Sequence, residues 1–140
     1  MLLRGEIRRE PLAAGEVERF VEAIHQRIDD ARDPRNHNLT RLELAYHGVL
    51  SAAWIALRVE GCRPCRGERH HQVTLESLAY TLGIADGDID YFLDLARMRH
   101  NTLYDAVAMA GTDVEVAVEA ATDLSRKLEA WLRDRGYLAA

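Results

Sequence analysis

Apolar residues in this chain return every three or four positions, in four long stretches and one short one. From about 16 to 32, Val17, Phe20, Val21, Ile24, Ile28 and Ala31 fall on one face of a helix. The segment DARDPRNHN breaks that pattern, because Pro34 cannot continue a helix and Asn36 and Asn38 suit turns and caps. A second helix is predicted at about 39 to 60, with Leu42, Ala45, Tyr46, Val49, Leu50, Ala53, Ala56 and Leu57 as its stripe and Gly61 as its stop. After the loop GCRPCRGERHH, a shorter helix at about 73 to 83 carries Leu75, Leu78, Ala79 and Leu82 and ends at Gly83. ADGD opens a fourth helix, about 88 to 108, and Thr112 with Glu115 forms a capping box for a fifth. That last helix, about 113 to 135, shows Val114, Ala117, Val118, Ala121, Leu124, Leu128, Trp131 and Leu132. No run alternates with period two for long enough to predict a strand. The expected fold is therefore all-α, an up-and-down four-helix bundle with one extra short helix. Residues 1–14 read as an N-terminal arm, with room for a short strand or a partner contact, and 15–137 as a single domain.

The fourth helix breaks its own pattern. Ile89, Phe92, Leu93, Ala96, Leu103 and Val107 form its stripe, which should continue at 99 or 100, where the sequence has Arg99 and His100. Arg97, His100 and Tyr104 are also spaced by three and four, so they stack along one side. Cations at a core face need partners, because an unpaired buried charge costs several kcal/mol. Breaks of this kind are expected at functional sites. A plainer reading stays open: Arg97 has Asp94 and Asp90 within helical reach, and Tyr104 can fill the edge of the core.

Composition narrows the function. A chain of 140 residues, 48% hydrophobic and 29% charged, can bury a core without disulfides or metal. Its formal net charge of -5 argues against a protein that coats nucleic acid, which needs a broad cationic surface, but allows a local cluster that handles one phosphate. Lys127 is the single lysine, and the arginines that replace the others suit bidentate phosphate or carboxylate contacts. No apolar run approaches the ~18 residues of a membrane span, and MLLRGEIRREPLAAG has no stretch of signal-peptide length. The expectation is a cytoplasmic protein with Cys62 and Cys65 as reduced thiols.

Two metal readings stand beside the arginine cluster. CRPC followed by His70 and His71 has zinc-type ligands, yet all four fall in one short loop and adjacent histidines rarely share an ion. His25, His47 and His100 fall on three different helices, as the ligands of a metal-dependent bundle enzyme could. His25 and His47 sit one position off their apolar stripes, where boundary histidines are common. Glycine-rich phosphate loops, GxSxG and HExxH are absent, and no metal or other cofactor is expected.

The order of features is familiar: ELAYHGVLSAAWIALR, then GERHHQVTLESLA, then ARMRHNTLYD. It resembles the HEPN domain superfamily, especially small bacterial members whose fourth helix reads R-x-[RK]-[RN/RH]-x3-Y-[DE]. Arg97, Arg99, His100, Tyr104 and Asp105 take those places, and the resemblance covers roughly residues 15 to 135. It implies a helical bundle, a homodimer formed through the motif-bearing helices, and RNA or nucleotide as ligand. It also implies a toxin–antitoxin setting with a nucleotidyltransferase-type antitoxin partner. Catalytic members are metal-independent endoribonucleases with an R-x4-6-H motif, arginine holding the phosphate and histidine transferring protons. This chain departs from that motif. No histidine lies four to six residues after Arg97 or Arg99, and Tyr104 stands in that place. The resemblance therefore implies a regulatory binding protein with weak or no catalysis, with an endoribonuclease using Arg97, Arg99 and His100 as the alternative.

Overall fold

The structure is a computed structural model that describes residues 6–65, 67, 69–104 and 110–139, with the backbone alone at 103 and 104. It is mostly helical, with one small two-stranded sheet. The elements are β1 (Ile7–Arg9), α1 (Glu16–Arg32), α2 (Asn38–Val59), β2 (Cys62–Pro64), α3 (His70–Glu76), α4 (Leu78–Thr81), α5 (Asp86–Tyr104) and α6 (Gly111–Asp134).

α2 is the centre. Beyond its expected stripe it buries Ala52 and Ile55, so it is apolar over more than one face and needs neighbours on several sides. It has them: α1, α6, α5 and α3 all pack against it. α1 supplies Val17, Val21, Ile24, Ile28 and Ala31, and α6 supplies Val114, Ala117, Ala121, Leu124, Leu128 and Leu132 to the same core. At Gly48 a Cβ would lie 3.3 Å from Ile28 Cγ1, so the absent side chain lets α1 and α2 approach closely.

Two expectations shift, and one cannot be compared. The short helix begins at His70, earlier than about 73, and is divided at Ser77, whose hydroxyl donates to Thr74 O at 2.6 Å. The part of α5 expected beyond Tyr104 lies outside the described residues. Within the loop and the arm, Ile7–Arg9 and Cys62–Pro64 pair antiparallel with Arg8 opposite Arg63, and three residues are too few to show a period of two.

Arg58 explains why the arm lies down on the domain. Its guanidinium is almost fully buried and binds Glu16 through Nε at 2.8 Å and Nη2 at 3.1 Å. It also donates to the carbonyls of Glu10, Pro11 and Cys62, which tie the strand pair to the end of α2. Arg41 plays the same part at the other end, donating to Ala31 O and to Glu115 on α6, both at 2.7 Å. Two of the arginines are thus structural ties, satisfied by several acceptors at once.

Candidate functional site

α5 buries Ile89, Phe92 and Leu95, which turns its inner face one position from the stripe expected at Leu93 and Ala96. That small rotation decides where the arginines go. Arg99 continues the inner face, half-buried against α2, whereas Arg97 and His100 are exposed.

The Arg99 Nε–H donates to Glu43 Oε2 at 2.9 Å, and its guanidinium carbon lies 5.2 Å from the centre of the Tyr46 ring. A guanidinium over an aromatic face is attracted by the ring quadrupole. The same Glu43 oxygen is 3.3 Å from His47 Nε2, one helical turn along α2. On the other side, the Tyr46 hydroxyl is 3.3 Å from His71 Nδ1, and the His70 and His71 rings meet edge to face at 4.2 Å. Glu43, Tyr46 and His47 from α2, His71 from α3 and Arg99 from α5 therefore form one cluster.

Its electrostatics follow from burial. Burial lowers the affinity of His47 for a proton; the charge of Glu43 opposes that, and Arg99 and Arg27 reinforce it, so its pKa lies below 6.5. His71 is lowered by burial, with His70, Arg99 and His47 adding to the effect. Both imidazoles are thus biased toward the neutral form. Burial raises the Tyr46 hydroxyl above 10.0, so it stays protonated. Glu43 Oε1 is buried and has no hydrogen-bond partner among the described residues, an uncommon state for a carboxylate oxygen. The cluster contains one held cation, two weakly basic rings and one under-satisfied acid. Chemically it suits an anion with further acceptor atoms.

The residues singled out from the sequence divide. Arg99 belongs to the cluster. Arg97 pairs with Asp94 on the exposed side of its own helix, the plain alternative noted above, and does not stand beside Arg99. His100 is exposed. The side chain of Tyr104, and Asp105, lie outside the described residues. Helical spacing along α5 does not bring Glu43, Tyr46, His47 and His71 to an arginine. The available signal was Glu43 and His47 one turn apart on either side of a core tyrosine.

The metal readings are not assembled. His25 pairs with Glu129 of α6 at 2.9 Å, while His47 faces Glu43. Cys62 is buried in β2 with its thiol toward Glu60 O at 3.7 Å. Among the described residues no group of three or more His, Cys, Asp or Glu is placed to hold a metal ion. No helix among them is long and apolar enough to cross a membrane. A cavity of about 580 Å³ opens elsewhere, between β1, α3 and α5, with Glu6, Arg69, Tyr80 and Asp90 in its wall and none of the cluster residues. Compared with protein-family models, curated proteins and solved structures, the chain has no match.

Proposed function

We propose that this is a HEPN-like helical protein that binds a phosphate-bearing ligand, RNA or a nucleotide, through Arg99 and the ring cluster around it. The observation that carries the reading is the placement of Arg99. Among the described residues it commits only its Nε–H to Glu43. Its terminal amino groups remain for the phosphate oxygens, to which a guanidinium donates in pairs. Neutral His71 and the protonated Tyr46 hydroxyl add uncharged hydrogen-bonding groups beside it.

The same reading takes the bundle to be of the four-helix type and the protein to be a cytoplasmic homodimer. The exposed side of α5 bearing Arg97 and His100 would be the contact, and a nucleotidyltransferase-type antitoxin the partner. Binding rather than cleavage is favoured because no histidine lies four to six residues after Arg97 or Arg99, and because Arg99 is half-buried against α2 while His100 is exposed.

The test is incubation of an RNA pool in EDTA with wild type, Arg99→Ala and His100→Ala. Retention of RNA by wild type without cleavage, lost on Arg99→Ala, is the expected result. Cleavage by wild type that disappears on His100→Ala would favour the endoribonuclease instead.

A further inference from the structure

The partner that Arg99 already holds has a consequence for any anion that approaches it. Glu43 Oε2 occupies the Nε–H of Arg99 at 2.9 Å, and a phosphate brought to the guanidinium would face that carboxylate across a few ångströms. The other oxygen of Glu43 is buried with no donor among the described residues, so the carboxylate is not fully satisfied by them where it lies. His47, the alternative partner, is already 3.3 Å from Oε2, one turn away on α2.

We infer that Glu43 is an exchangeable counter-ion: the anion takes its place on Arg99, and the carboxylate passes to His47. The inference rests on the phosphate-binding reading and adds a regulation to it. A carboxylate moved fully onto His47 favours the imidazolium, so the exchange takes up a proton from solvent at His47, with no bond made or broken elsewhere. The groups that face His47 set this balance: Glu43 on its own helix, Arg27 from α1, His71 from α3 and Arg99 from α5. When the anion neutralises Arg99, one of the charges opposing protonation is removed as well. Binding is then coupled to pH. Affinity falls as pH rises, by up to roughly tenfold per pH unit for one proton taken up. Ligands that arrive with their own bound cation have less to gain from the exchange.

The probe is sulfate, a tetrahedral dianion that does not titrate between pH 5.5 and 8. Side-chain NMR of the full chain follows the Arg99 Nε–H and the His47 ring through sulfate titrations at several pH values. In wild type, sulfate should shift the Arg99 signal, raise the His47 pKa and bind more weakly as pH rises. Glu43→Gln keeps the shape and an acceptor for Arg99 but removes the charge. It should bind sulfate roughly tenfold more tightly, the scale expected for one like charge at this range, and with little pH dependence. Equal affinity and equal pH dependence in the two proteins overturns the exchange while leaving the phosphate site in place. No shift of Arg99 in either protein overturns the phosphate-binding reading itself. The wild-type His47 titration with and without sulfate decides the matter even if Glu43→Gln does not fold, since an unchanged His47 pKa at saturation contradicts the exchange.

Discussion

Arg99 near the end of α5 and Glu43 near the start of α2 meet through a 2.9 Å Nε–H···Oε2 hydrogen bond across 56 positions of sequence. The pair joins the helix that broke its apolar stripe to the helix at the centre of the core. Both side chains are about a quarter exposed, which leaves them accessible to a ligand while keeping their mutual geometry.

Removing Arg99 should therefore cost stability as well as binding. Arg99→Ala strips Glu43 of its hydrogen bond and Tyr46 of its cation, and the expected loss is about 1–3 kcal/mol in urea unfolding. A double-mutant cycle with Glu43→Gln should give a coupling of about 0.5 kcal/mol or more. Additive single effects would mean the charge of Glu43 contributes nothing to the contact.

A larger effect is expected where the arginine is buried. Arg58→Ala leaves the Glu16 carboxylate and three carbonyls without their donor. A loss of about 3–5 kcal/mol follows from breaking such a pair on one side. Hydrogen exchange should speed up most at the amides of β1, because Arg58 ties that strand to α2. Unchanged protection there would show that the strand pair holds without it.

The same pair sets an acid limit. Burial raises the pKa of Glu16, but the Arg58 hydrogen bond, the Ala13 N–H and the charges of Arg58 and Arg19 outweigh it, so the net shift is below 4.5. The folded state thus holds its proton less firmly than the unfolded chain. This contribution is complete above the unfolded pKa and is lost as pH falls through the folded one. Unfolding midpoints between pH 6 and 3 should fall less steeply in Glu16→Gln than in wild type.

The histidines act at a higher pH. His47 and His71 both titrate below 6.5 in the folded protein, so the unfolded chain binds protons first as the solution is acidified. Their contribution is complete above 6.5 and declines as pH falls through their folded values. Ring titrations by NMR should place both midpoints below 6.5, and a midpoint above it for either would contradict the burial argument.

Much of the fold was legible because long helices carry their own period. The bounds 16 to 32 match α1, Glu16–Arg32, residue for residue, and α2 and α6 differ from expectation by one or two positions. Strands of three residues show no period of two, and beyond the room for a short strand in the arm their pairing rests on contacts distant in sequence, Ile7–Arg9 with Cys62–Pro64. The site was half legible. A break in the stripe pointed to Arg99, but helical spacing grouped it with Arg97 and His100, and only the true inner face through Leu95 separates them. Glu43 and His47, one turn apart, and His71, beside His70, stand out in the sequence, but nothing local ties them to Arg99, because a polar residue at the edge of a core helix looks the same whether it meets solvent or an arginine.

The most direct test of the central claim is the affinity of a fluorescent single-stranded RNA oligonucleotide for wild type, Arg99→Ala and Arg97→Ala, read by anisotropy at fixed salt. Loss of at least roughly tenfold in affinity on Arg99→Ala, with Arg97→Ala close to wild type, is the predicted result, since a buried charge-assisted contact is worth more than an exposed one. Binding by Arg99→Ala as tight as wild type, or equal losses in both variants, would contradict it.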